Sequence, residues 1–193
     1  MRHRNLCLIT LAVGALAACD IDRSVAPVAE PAFLIGSSPL APLLAEPLEF
    51  QLWFWTDAKT GDVTYWATVD VLVNEALFAE PIDPRMRLET DAVYRGGKGH
   101  DILASKSTAY LAELDPVASG TKAYGLVVIV MPLTERESSQ LGAALTAGSV
   151  EVAVSTDLVT TNKDGKDDLL DSLGSLFLAD PRPSPTPIPP EWL

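Results

Sequence analysis

The fold class that this sequence predicts is all-β, an antiparallel β-sandwich with one inserted helix, and three features predict it. Two neighbouring segments between residues 48 and 73 alternate apolar and polar side chains with a period of two, which is the signature of half-buried strands. Further short strand signals recur at close spacing up to residue 178, and a single stretch carries helix start and stop signals. An immunoglobulin-like sandwich is one expected variety, and an α+β domain is the alternative.

The first element is a hairpin. Leu48, Phe50, Leu52 and Phe54 alternate with Glu49, Gln51, Trp53 and Trp55, while Val63, Tyr65, Ala67, Val69, Val71 and Val73 alternate with polar positions and Trp66. Pairing Phe54 with Val63 and Trp55 with Asp62, around a turn holding Asp57 and Gly61, puts both apolar sets on one face, whereas a slip of one residue would separate them. Later strands are expected within residues 85–94, 101–114, 122–133, 148–156 and 173–178. Gly125 to Met131 is apolar on both sides, as a strand buried between layers would be. Thr134 followed by Glu137 predicts a capping box, Leu141, Ala144 and Leu145 form the apolar stripe of a helix, and Gly148 can end it. Leu114, Pro116 and Tyr124 resemble, at a longer spacing, the tyrosine corner of immunoglobulin-like folds.

The amino terminus carries an address. Arg2, His3 and Arg4 precede an uncharged run from Leu6 to Ala18, too short for a comfortable membrane span and laid out like an export signal. The run ends in Leu16-Ala17-Ala18-Cys19, which resembles the lipobox of bacterial lipoproteins at all four positions. That resemblance implies that the Cys19 thiol takes a diacylglycerol, that the bond from Ala18 to Cys19 is cleaved, and that the new amine is open to acylation. Two or three chains, at about 0.8 kcal/mol per buried methylene, would make attachment effectively permanent. The expected localisation is therefore extracytoplasmic and lipid-anchored to a bacterial membrane; Asp20 leaves the choice of inner or outer membrane open.

Four regions follow: a lipoprotein signal peptide (1–18), a lipidated cysteine and proline-rich tether (19–47), a single β-rich domain (48–180) and a proline-rich tail (181–193). Prolines 27, 31, 39, 42 and 47 argue against long helices and central strands in the tether, and the tail is spaced by prolines in the same way. The only cysteines are Cys7, inside the leader, and Cys19, so the domain has neither a disulfide nor a thiolate metal site. The chain has a formal net charge of −12, and losing Arg2 and Arg4 with the leader makes it more acidic still. Such a surface repels phosphate backbones and argues against nucleic-acid partners and a basic membrane-lying helix.

Candidate sites are few. Trp53, Trp55 and Trp66 fall on the otherwise polar face of the hairpin, where indoles beside Gln51, Asp62 and Thr64 could stack on sugar rings; burial beneath another layer is the competing expectation. Asn162, Asp164, Asp168 and Asp171 fall at positions 3, 5, 9 and 12 of a loop resembling EF-hand, dockerin and integrin-type calcium loops, with Gly165 at position 6. Thr160 replaces the first carboxylate and Lys163 and Lys166 oppose a cation, so Ca2+ is the one cofactor with any support; otherwise none is expected. Gly96-Gly97-Lys98-Gly99 lacks phosphate-loop spacing, and His100 and the adjacent Asp101 would point to opposite faces of a strand. No catalytic residue is assigned. The expected function is a membrane-anchored lipoprotein with a non-catalytic binding or envelope-structural domain, its partner an envelope protein or glycan. The alternatives are a carbohydrate- or calcium-assisted binding module and a hydrolase whose carboxylate pair the sequence does not single out.

Overall fold

The structure is a computed structural model that describes residues 41–120 and 123–188. The leader, Cys19, most of the expected tether and Trp192 lie outside the described residues. Nine strands and one α-helix are present among the described residues: β1 (Leu44–Thr56), β2 (Val63–Asn74), β3 (Met86–Gly96), β4 (Asp101–Tyr110), β5 (Val117–Ala118), β6 (Tyr124–Pro132), α1 (Glu135–Ala147), β7 (Val150–Thr161), β8 (Asp167–Leu178) and β9 (Pro181–Pro183). They form two sheets, ordered β5-β6-β2-β1-β9 and β4-β3-β7-β8. Every pairing is antiparallel except the short β1–β9 contact. The expected all-β sandwich with one inserted helix is what the chain adopts.

The core is the apolar set of both inner faces. Leu44, Leu52, Val69, Val71, Val73, Ile129 and Met131 from one sheet meet Leu88, Ala92, Tyr94, Val152, Val154 and Leu158 from the other. Period-two alternation delivers all of them to one side of each strand. Helix α1 lies against β2 and β4, burying Leu141, and the Ser138 hydroxyl accepts the Tyr65 N–H at 3.1 Å. Its start is the capping box that Thr134 and Glu137 predict, with both reciprocal bonds made, and Gly148 closes it. On the other side, the Ser107 hydroxyl of β4 donates to the Val130 carbonyl of β6 at 2.9 Å and ties the two sheets together.

Several expectations are corrected. In the first hairpin Phe54 pairs with Tyr65 and Trp55 with Thr64, two residues from the expected register. A shift of two keeps every side chain on its expected face. The turn fixes this register: an Asp57 carboxylate oxygen accepts the N–H groups of Lys59 and Thr60, the Asp57 N–H bonds Asp62 O at 2.9 Å, and Gly61 has φ +77.

Strand β1 starts at Leu44, inside the segment expected as tether. Leu44 pairs with Val73 and Glu49 with Asp70, so residues 46–48 bulge opposite a single residue, and Pro47 sits where no ladder donor is needed. The tail is not wholly separate either, since Pro181, Arg182 and Pro183 pair with Leu52, Trp53 and Phe54. Tyr124 makes no tyrosine corner: its hydroxyl donates to the carbonyl of Pro42, far upstream. Among the described residues no helix is long and apolar enough to cross a membrane.

Candidate functional site

The three tryptophans do project from the polar side of the first hairpin, but the structure divides them. Trp53 and Trp66 are direct cross-strand partners on the outer face of the five-stranded sheet, whereas Trp55 faces a different cavity. Trp66 is only 3% exposed, so it cannot offer an open stacking face. Trp53 is half-buried, and its indole N–H donates to the Thr68 hydroxyl at 3.1 Å, which fixes the ring.

Around this pair lies a groove of about 360 Å³. Its floor is Trp53, Trp66 and Val128; its polar groups are Gln51, Thr68 and Asp70; and its far wall is Ser184, Pro185 and Thr186. The register explains the gathering: Gln51 opposes Thr68, and Asp70 opposes Val128, so one face of three strands supplies all six side chains. The wall is held because β9 pairs with β1 and the Ser184 N–H continues that pairing to Phe54 O at 2.8 Å. Burial, and secondarily the nearby Glu49 carboxylate, push the Asp70 carboxyl above the usual range. An apolar floor with a few fixed polar groups is the common form of a small-ligand site.

Trp55 belongs to a wider cleft of about 830 Å³ between the hairpin tip and α1, with Asp57, Asp62, Thr64, Tyr65, Glu135 and Ser139 among its lining. Burial raises the Tyr65 phenol above its ordinary value. Asp57 is engaged in its own turn, and Ser138 in the bond to Tyr65, so two of the polar groups here already serve the fold.

Of the expected calcium residues, Asn162 and Asp164 lie in the β7–β8 turn and Asp168 and Asp171 in β8, and the side chains of Asn162, Asp168 and Asp171 serve other ends. The Asn162 carboxamide oxygen accepts the N–H groups of Asp164 and Lys166, and its amide donates to Asp168. Asp171 is drawn away: one carboxylate oxygen accepts the N–H groups of Leu43 and Leu44 at 3.0 and 2.9 Å, anchoring the start of β1 to β8. Among the described residues no three His, Cys, Asp or Glu side chains converge as a metal cluster. Gly97 and Gly99 occupy the β3–β4 hairpin tip, with the Gly96 N–H bonded to His100 O.

No family model matches the chain, and no curated protein matches it. Among solved structures, a protein of Arabidopsis thaliana determined in solution is similar, with a TM-score of 0.37 and 12% identity over 78% of this chain and 90% of that one. A protein from Archaeoglobus fulgidus, known from a crystal structure, has a TM-score of 0.32 and 8% identity over 69% of this chain and 98% of that one. Neither likeness bears on function.

The wall formed by Ser184 to Thr186 is the part of the groove that sequence reasoning missed. A proline-rich terminus carries no alternating pattern, so nothing in it announces a strand. The available signal was on the partner: indoles on a face expected to be polar need a cover.

Proposed function

We propose that this chain is a lipid-anchored, extracytoplasmic binding protein of a bacterial envelope. Cys19 carries the acyl chains, and the sandwich acts without catalysis, taking one sugar ring of an envelope glycan in the groove over Trp53 and Trp66. The observation that supports this reading best is the groove itself: a fixed, half-buried indole lies beside the carboxamide of Gln51 and the carboxylate of Asp70, in a space of about 360 Å³. A sugar presents an apolar face to an indole and hydroxyls to amides and carboxylates, so both halves of the lining have work to do. The strongly acidic surface fits a neutral ligand better than an anionic one.

The test has two parts. Mass spectrometry of the processed protein should find diacylglycerol on Cys19, and an unmodified thiol there would remove the anchor. Glycan-array binding should be present in the parent and fall by at least about tenfold in Trp53→Ala, the loss of one aromatic contact and its burial. Binding unchanged in that variant would place the ligand elsewhere.

A further inference from the structure

The wide cleft beside α1 is built around a gap in strand pairing. Strand β2 starts at Val63, but β6 reaches it only at Trp66, opposite Pro132, after which the chain turns away into α1. Residues 63–65 therefore have β1 on one side and the cleft on the other. Tyr65 fills its part of the gap by donating its N–H to the Ser138 hydroxyl at 3.1 Å. Val63 has no such substitute. Opposed residues of an antiparallel pair alternate between bonding each other and pointing their backbone groups away. The Asp57 N–H bonds Asp62 O, so the next pair, Thr56 with Val63, is of the second kind, and the N–H and C=O of Val63 point into the cleft. Around it stand the carboxylates of Asp57 and Asp62, from the hairpin tip, and of Glu135, from the first turn of α1. No Lys, Arg or His lines the cleft, and among the described residues none of these carboxylates forms an ion pair. Asp57 commits only Oδ1 to its turn. From α1 come Ser139, Gly142, Ala143 and Thr146, small side chains at helical spacing that leave about 830 Å³ open.

We propose that this cleft binds an extended, cationic peptide segment of a partner protein: one residue of that segment bonds both backbone groups of Val63, and its Lys or Arg side chains meet Asp57, Asp62 and Glu135. The occupant is a peptide because Val63 offers a donor and an acceptor on the same edge, and the matching acceptor and donor are those of another strand. The segment continues the line that β6 leaves at Pro132, so it completes a ladder already begun. It is cationic because the only charged side chains of the lining are carboxylates, and an acidic segment would be repelled both there and by a chain of net charge −12. Trp55, half-buried and opposite Thr64, gives the alkyl stem or guanidinium of such a side chain an indole to lie on. The site is independent of Cys19 and of the groove over Trp53 and Trp66.

The experiment titrates a short, fluorescently labelled peptide alternating Lys with Thr with the full chain in non-ionic detergent, and reads anisotropy. The expected result is saturable binding that weakens as salt is raised and is absent when Glu replaces Lys in the peptide. The double variant Asp62→Asn/Glu135→Gln should bind at least about tenfold more weakly. Glu75→Gln/Glu113→Gln makes the same change of charge at exposed positions beyond the far end of β2, and should bind as the parent does. All four changes are at exposed side chains, and circular dichroism checks that both variants keep the fold. N-methylation of the peptide's backbone amides keeps its charge and removes the donor to Val63 O, so it should abolish binding without any change to the protein. Spermidine, which has charge but no backbone, should not displace the peptide. Absence of binding, binding that Asp62→Asn/Glu135→Gln leaves unchanged, an equal loss in Glu75→Gln/Glu113→Gln, retention of the N-methylated peptide, or displacement by spermidine overturns the proposal.

Discussion

Thr90 and Thr156 are direct partners on β3 and β7, both are buried, and their hydroxyls lie 3.0 Å apart. Each satisfies the other inside an apolar interior, so removing one leaves the other stranded. Thr90→Val is expected to lower unfolding stability by about 1–3 kcal/mol, the cost of an unpaired buried hydroxyl. The double variant with Thr156→Val should recover most of that loss, because the sites share a single interaction. Denaturant unfolding of the four proteins measures the cycle. Asp70 works in the opposite sense to Asp83 and Asp167, whose carboxyls the side chains of Arg85 and Arg87 hold below the usual range. Its folded pKa lies above the unfolded value, so the native state holds its proton to higher pH than the unfolded chain does, and stability falls as pH rises from the unfolded to the folded pKa. Asp70→Asn should therefore stabilise the protein at pH 7, and the gain should vanish on acidifying below the ordinary carboxylate range, as thermal melts at pH 7 and pH 3 would record. Neither prediction was legible in the sequence. Thr90 and Asp70 both occupy strand positions that alternate regularly, but their partners come from β7 and from Glu49 on β1.

Among the elements, α1 shows local signals at their strongest. Thr134, Glu137 and Gly148 mark its ends because capping chemistry acts over three or four residues and needs no tertiary partner. Thr134→Ala should cost about 1 kcal/mol in denaturant midpoint measurements, while Leu141→Ala, which opens the buried seam of α1 with the sheets, should cost about 2–5 kcal/mol. The first hairpin was legible in its faces but not in its last pairs. Alternation distinguishes odd shifts from even ones, and only the hydrogen bonds of Asp57 to Lys59 and Thr60 choose among the even ones. Strand β5 shows the limit of pattern reading: two residues have no period. What requires it is a close approach, since a Cβ on Gly125 would lie 2.6 Å from Cβ of Pro116. Gly125→Ala is expected to push the Pro116–Ala118 arm off β6, at a cost of about 1–3 kcal/mol by overpacking.

At the scale of the whole molecule, the carboxyl-terminal segment decides whether the tryptophan groove exists. In a Trp192→Phe background, Ser184→Pro removes the N–H that bonds Phe54 O, and acrylamide quenching of the remaining indoles should rise as the wall of Ser184 to Thr186 lifts. Unchanged quenching would mean that the wall is held by packing and not by strand pairing. The sequence alone determined the fold class, the inner face of the first hairpin and the capped helix. Each of these follows from periods and spacings within a dozen residues, where side-chain chemistry acts on its own backbone. Tertiary structure decided that Asp171 anchors the start of β1 and that the tail closes one wall of the tryptophan groove. These depend on which strands become neighbours across more than a hundred residues of chain, and the free energy that selects those neighbours is the burial of two whole sheet faces against each other.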